Sequence, residues 1–340
     1  MNQTILVLLP VEERHQKLLE SCAPGCRFLY RLPDTVLPRE VMEANIIIGC
    51  PPARYLRDSD ELEWLQCSSA GVEAYLAPGV LPPKALLTNA TGAYGLAISE
   101  HMLGMLLEIF KRLHTYRDAQ HQHQWKSQGQ VRSIYGSTVL VLGMGDIGGE
   151  FAKRVKALGA YVIGVRRRDA SRPDYADEVH LTDKLDELLP RADVVAASLP
   201  GTRETFHLLD ARRLNLMKEG AVFLNVGRGN LVDTQALCDA LERGRLSGAG
   251  LDVTDPEPLP PDHPLWDLPN AVITPHVSGF YHLPETLERI VRISADNLKA
   301  YLAGAPLRNL IDFQTGYRRV VPAASPRGSS HQGESEVVAE

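Results

Sequence analysis

Short apolar runs separated by polar stretches of helical spacing repeat along this chain in two series. In the first hundred residues the runs at 4–9, 27–30, 45–50, 64–68 and 85–89 read as strands. Between them, 12–20, 40–43 and 54–61 read as helices or turns, and prolines at 51, 52, 78, 82 and 83 punctuate the loops. This is the βα rhythm of a small parallel sheet. From 94 to 120 the pattern changes: Leu96, Met102, Leu103, Leu106, Leu107, Ile109, Phe110 and Leu113 recur at helical spacing, which predicts one long amphipathic connector helix. A second series follows, with strands expected at 139–142, 161–165, 194–198, 221–225, 248–252 and 271–274 and helices at 151–158, 185–189 and 234–243. Near-continuous apolar strands in such a series indicate a parallel sheet covered on both faces. A last helix is expected at 284–302, ending at Gly304. Its apolar face (Leu287, Ile290, Val291, Leu298, Tyr301) is expected to pack back on the N-terminal part. Beyond residue 316 the chain turns basic and then rich in Pro, Ser, Gly and Glu, the composition of a disordered tail.

Composition narrows the partners. A length of 340 residues suggests about two domains, and 44% hydrophobic with 23% charged residues is ordinary for a globular enzyme. The formal net charge of −6 argues against nucleic acid or a membrane surface as partner. No apolar run approaches the roughly 20 residues of a membrane span, and the first ten residues read as a strand rather than a signal peptide. The odd count of cysteines (Cys22, Cys26, Cys50, Cys67, Cys238), mostly within apolar segments, suggests reduced thiols and a cytoplasmic setting. Cys22 and Cys26 have no second Cys/His pair at ligand spacing, so no metal is expected. His121 and His123 read as a solvated arm, with Trp125 as the anchor of a subunit contact.

The chemistry begins where the second series begins. Val139, Leu140, Val141 and Leu142 lead into Gly143-Met144-Gly145-Asp146-Ile147-Gly148, a G-x-G-x-x-G loop between a strand and a helix, with a second strand where a βαβ unit needs one. Gly143 permits the tight turn, Gly145 lets the backbone approach a pyrophosphate, and Gly148 lets helix pack on strand. The phosphates would sit at the helix N-terminus, where unpaired N–H groups favour negative charge. A dinucleotide is therefore the expected cofactor. At the end of the second strand, where NAD-binding units carry a carboxylate for the ribose 2′-OH, this chain has Arg166, Arg167 and Arg168. Guanidinium groups pair with a 2′-phosphate, so NADP(H) is favoured over NAD(H).

Three further residues follow expected strands of the second series, where ligands of open α/β sheets bind. Arg228 lies in Asn225-Val226-Gly227-Arg228-Gly229, Glu257 in the proline-stiffened run Asp255-Pro-Glu-Pro, and His276 in Thr274-Pro-His276. Together with Leu199-Pro200, Thr205, Gly248-Ala-Gly-Leu-Asp252 and the glycine loop, these motifs make residues 40 to 312 resemble the D-isomer-specific 2-hydroxyacid dehydrogenases.

The resemblance implies an α/β chain of two Rossmann-like or flavodoxin-like domains with parallel sheets and the active site in the cleft between them. It implies a discontinuous substrate domain, 1–98 plus 284–316, around a dinucleotide-binding domain, 99–283, with a tail from 317. It also implies that Arg228, Glu257 and His276 form the catalytic set. Ser69, Ala70, Gly71 and Val72 resemble the family loop whose N–H groups hold the substrate carboxylate, beside Arg228 and His276. Leu199, Pro200, Thr205, Val226, Gly227, Arg228, Asp252, His276, Ser278 and Gly279 join the glycine loop in cofactor contacts, with Asp252 at the nicotinamide carboxamide. Glu100 and His101 fit the family pattern on the connector helix and read as structural. Tyr94 and Tyr281 are candidate pocket-lining side chains.

The implied reaction is reduction of a small 2-oxo acid to the D-2-hydroxy acid, and its reverse, with His276 as general acid and Arg228 on the substrate carboxylate and carbonyl. The arginine run resembles the NADP-preferring glyoxylate/hydroxypyruvate reductases. NAD-linked members acting on another substrate, phosphoglycerate- or D-lactate-like, are the alternative. A dinucleotide-sensing corepressor that binds partner proteins is a rival from another class. Family members are usually dimers, and residues 92–125 are the expected contact.

Overall fold

In the computed structural model, which describes residues 3–319, the two apolar series form two separate sheets, all parallel. The smaller holds β1 (Thr4–Leu8), β2 (Arg27–Tyr30), β3 (Ile46–Gly49), β4 (Trp64–Gln66) and β5 (Leu86–Thr88), with α1 (Glu13–Cys22) after β1 and α2 (Pro38–Met42) after β2. Its order, β2-β1-β3-β4-β5, is the flavodoxin-like one. The segment 54–61, expected as helix or turn, opens on a 3₁₀ turn, Ala53–Tyr55.

The connector is two helices rather than one, α3 (Gly95–Lys111) and α4 (Leu113–His121). Arg112 between them is left-handed at φ 55°, which redirects the chain although the apolar spacing continues through Leu113. The larger sheet holds β6 (Thr138–Leu142), β7 (Tyr161–Arg166), β8 (Glu178–Leu181), β9 (Val194–Ala197), β10 (Ala221–Asn225), β11 (Leu246–Leu251) and β12 (Ala271–Ile273). Its helices are α5 (Asp146–Ala157), α6 (Leu185–Leu188), α7 (Ala211–Leu216) and α8 (Thr234–Glu242). The order β12-β11-β10-β9-β6-β7-β8 extends the Rossmann order by one strand. Leu142 at the end of β6 pairs with Val165 on one side and Ala197 on the other, so the glycine loop leaves the sheet where the strand order reverses. β8 and α7 were not expected from the pattern.

Both sheets are apolar through their centres. Ile46, Ile47 and Ile48 of β3 and Val139, Leu140 and Val141 of β6 are fully buried, each such side chain stabilising by about 1.5–3 kcal/mol. α3 lies on the larger sheet, with Ile109 and Met105 against Gly248 and Gly250 of β11. The last helix, α9 (Pro284–Leu302), returns to the first sheet as its apolar face suggested. His15 Nε2 of α1 meets Glu288 Oε1 at 2.8 Å, and Asn297 Nδ2 donates to Gln66 Oε1 of β4 at 2.7 Å. Leu310 bridges Thr88 of β5.

Order continues slightly past the expected start of the tail. Arg318 bridges Ile311, Arg319 N donates to Leu310 O, and the Tyr317 ring lies 3.5 Å from the Arg167 guanidinium carbon. Residues 320–340, the rest of that expected tail, lie outside the described residues. Among the described residues no helix is long and apolar enough to cross a membrane. All five cysteines are free thiols, and among the described residues no group of three His, Cys, Asp or Glu side chains is placed to hold one metal ion.

Candidate active site

The loops after β6, β9, β10, β11 and β12 all leave the carboxyl edge of the larger sheet. In the first, Gly143 is left-handed at φ 95°, and Gly148 sits so close to Gly143 O that no side chain fits there. Gly145 is open: a Cβ placed on it meets nothing within 4 Å. The α5 N-terminus therefore begins beside open space, the room a pyrophosphate needs. Met144 packs over Gly164, and Ile147 joins the apolar core. Asp146 points elsewhere: its Oδ2 accepts the N–H groups of Gly92 and Gly95, each at 3.0 Å, and so ties the glycine loop to the start of α3.

The arginines at the end of β7 differ from one another. Arg166 Nε is buried with no partner among the described residues, while its Nη1 lies 3.7 Å from Asp169 Oδ2. Arg167 lies 3.6 Å from Glu204 and under the Tyr317 ring. Arg168 is exposed. An orphaned guanidinium nitrogen beside an open glycine cradle fits a phosphorylated ribose. Leu199 packs on Gly143 and Gly227, and Thr205 Oγ1 donates to Pro200 O at 2.7 Å, closing the loop that borders the cradle. Val226 N donates to Ala197 O and Gly227 N to Asn225 Oδ1, which fixes the turn before Arg228.

Glu257 and His276 meet after two neighbouring strands, with His276 Nδ1 2.6 Å from Glu257 Oε1. Both side chains stay about 40% exposed, so the imidazole can reach a ligand. His276 is left-handed at φ 53° and its N–H donates to Asp252 O. Asp252 is 1% exposed, and its carboxylate is turned into the same loop. Oδ1 accepts Thr274 Oγ1 at 2.6 Å and Val277 N at 2.9 Å, and Oδ2 accepts Ser278 N and Oγ. His101 of α3 reaches Thr274 Oγ1 at 3.0 Å, in keeping with a structural reading. Gly279 packs on the Tyr94 ring, whose hydroxyl donates to Ser68 O, and burial pushes the Tyr94 phenol upward.

Arg228 crosses to the other sheet. Its Nε and Nη2 donate to Glu73 Oε1 and Oε2 at 3.1 and 3.2 Å, and its Nη1 donates to Gly227 O at 2.8 Å. The guanidinium lies on Gly71, where any Cβ would overlap it. The loop beneath has its carbonyls tied back: Ser69 O accepts Ala90 N, Ala70 O accepts Asn89 Nδ2, and Gly71 O accepts Ser69 Oγ. The N–H groups of Ala70, Gly71 and Val72 have no acceptor among the described residues, which leaves them for an anion. A cavity of about 190 Å³ lies between residues 70–73, 200–203 and 313–316.

Two features had no signal in the sequence. Glu73 sits 155 positions from its partner Arg228. Cys50 lies under the same loop, where Ser68 Oγ donates to its Sγ at 3.2 Å. The Cys67 thiol holds Cys50 well below the usual thiol range, while burial pushes Cys67 itself up.

With this geometry in view, residues 103–278, about half of the chain, match the family model described as D-isomer specific 2-hydroxyacid dehydrogenase, NAD binding domain. A glyoxylate reductase of Korarchaeum cryptofilum is 31% identical over 87% of this chain and 86% of its own. A D-3-phosphoglycerate dehydrogenase of Mycobacterium tuberculosis is 36% identical over 85% of this chain, which spans about half (51%) of that relative. Among solved structures, a D-isomer specific 2-hydroxyacid dehydrogenase of Xanthobacter autotrophicus in complex with NADPH and MES superimposes with a TM-score of 0.78. It is 27% identical over 93% of this chain and all of that one.

Proposed function

The chain belongs to the D-isomer-specific 2-hydroxyacid dehydrogenases, and on that premise we propose that it reduces a small 2-oxo acid of the glyoxylate or hydroxypyruvate kind to the D-2-hydroxy acid, and catalyses the reverse, using NADP(H) in preference to NAD(H). The observation that carries the reading is the His276–Glu257 pair, left accessible at the sheet edge that also presents Arg228 to the opposite loop. The bound dinucleotide supplies a hydride to the carbonyl carbon.

Everything else falls to the chain. The N–H groups of Ala70, Gly71 and Val72, all within the expected loop from Ser69 to Val72, hold the substrate carboxylate. Arg228 orients that group and offsets charge developing on the carbonyl oxygen. A protonated His276 delivers a proton from Nε2 to that oxygen, and Glu257 at Nδ1 fixes the ring and stabilises the imidazolium. Asp252 holds the loop carrying His276, beyond any contact it makes with the nicotinamide. The open cradle at Gly145 and the orphaned Arg166 Nε support the dinucleotide and its 2′-phosphate.

The substrate domain in this reading is 1–98 with 284–316, and the dinucleotide domain is 99–283. Return of α9 to α1 and β4 supports that division. We place the enzyme in the cytoplasm, where its thiols stay reduced, as a homodimer joined through residues 92–125. Trp125, exposed in the single chain, is the anchor.

The test is oxidation of NADPH and of NADH, followed by the loss of reduced-nicotinamide absorbance, over a panel of glyoxylate, hydroxypyruvate, phosphohydroxypyruvate and pyruvate. The reading predicts the highest kcat/KM for glyoxylate or hydroxypyruvate with NADPH. Turnover of none of them, with NADPH still bound, would instead favour a dinucleotide-sensing binding protein.

A further inference from the structure

The guanidinium proposed to meet the substrate carboxylate already holds a carboxylate, and the chain itself supplies it. Glu73 takes the Nε/Nη2 edge of Arg228 with both oxygens, at 3.1 and 3.2 Å. That edge is the fork on which arginine binds carboxylates in bidentate fashion. The pair lies directly on Gly71: a Cβ there would overlap Arg228 Nη2 and stand 2.7 Å from Glu73 Oε2. Glu73 Oε2 is thus in contact with the loop whose Ala70, Gly71 and Val72 N–H groups lack acceptors among the described residues. One anion subsite, formed by a guanidinium fork above a row of free N–H groups, faces two candidate carboxylates: that of Glu73 and that of the incoming acid.

We infer that Glu73 is a built-in competitor for the substrate carboxylate and so sets how tightly this enzyme holds 2-oxo acids. The inference rests on the assignment of Arg228 to the substrate carboxylate. A 2-oxo acid must displace Glu73 from the fork, and its apparent affinity is its intrinsic affinity reduced by the fraction of molecules in which Arg228 is free. Both partners are partly exposed, 31% for the Arg228 side chain and 40% for that of Glu73. Screening therefore keeps the pair weak enough for a substrate carboxylate to open it. Gly71 is part of the device, since any side chain there would push the guanidinium off the loop.

The test uses the full chain saturated with NADPH and titrates oxamate, an unreactive monocarboxylate analogue of 2-oxo acids, by calorimetry. Glu73→Gln and Glu73→Ala should both bind oxamate about 3- to 10-fold more tightly than wild type, with KM for glyoxylate falling in parallel. Glutamine preserves the shape of the side chain and guards against a folding defect. Arg228→Gln serves as the reference and should weaken oxamate whether it is made in the wild type or combined with Glu73→Gln. Unchanged or weaker binding in both Glu73 variants, with Arg228→Gln weakened as expected, overturns the competition. Equal binding by Arg228→Gln and wild type overturns the role of Arg228, and the competition with it.

Discussion

Oε1 of Glu257 and Nδ1 of His276 stand 2.6 Å apart, 19 positions from each other in sequence and on loops that follow adjacent strands. A carboxylate at Nδ1 leaves Nε2 as the ring atom that faces a ligand, which is the arrangement a proton donor to a substrate oxygen requires. The pair is accessible and is held from behind. The Asp252 carboxylate takes Thr274, Val277 and Ser278 on either side of the histidine. Orientation of the reactive group thus depends on a buried acid that need not touch substrate.

Asp252→Asn should damage that support. The amide cannot accept on both atoms, so the backbone N–H of Val277 or of Ser278 loses its carboxylate acceptor, at a cost of about 1–3 kcal/mol. A lower Tm by calorimetry, together with a drop in kcat, is expected. An unchanged Tm would mean that the loop does not lean on Asp252.

Arg166→Asp addresses the cofactor. If NADP(H) is the cofactor as proposed, replacing the guanidinium by a carboxylate should remove one or two charge-assisted hydrogen bonds to the 2′-phosphate, each about 1.5–3 kcal/mol. The NADPH/NADH ratio of kcat/KM should fall by about 10²-fold. A ratio that stays put would assign the arginine run to the solvated end of β7, with Asp169 as its partner.

Trp125 is wholly exposed in the single chain and is the anchor proposed for the subunit contact. Trp125→Ala should weaken the dimer by at least about 2 kcal/mol, roughly 30-fold in Kd, if it is a hot spot. Sedimentation equilibrium measures this directly, and an unaltered association constant would place the interface elsewhere.

Stability in acid should report Glu178. Hydrogen bonds from Arg191 and then His180 lower its pKa to about 2, against an ordinary 4.5. A depressed carboxylate contributes stability above its unfolded value, and that contribution is lost as pH falls through the folded value. The Tm difference between wild type and Glu178→Gln should therefore be full above about pH 4.5 and shrink toward pH 2. A difference independent of pH would mean that the ion pairs on β8 contribute nothing.

Much of this was legible from apolar spacing and three glycines. The strands flanking the cradle, the connector and the returning last helix all carry continuous apolar faces. What escaped had a local reason. β8 is an edge strand, and its Glu-Val-His-Leu sequence is only partly buried, so it lacks the apolar run that marked its neighbours. α7 is six residues long and is marked chiefly by its Asp210 cap. The break at Arg112 needs a left-handed arginine, which no propensity signals. Arg228, Glu257 and His276 stood in motifs near strand ends. Glu73 did not, because its meaning comes from a guanidinium brought to it by the packing of two sheets.

The role of His276 as proton donor is tested most directly by single-turnover reduction of glyoxylate by His276→Ala with NADPH bound. The rate, measured at saturating NADPH, should fall by roughly 10²–10⁴-fold. A rate near that of the wild type would contradict that role.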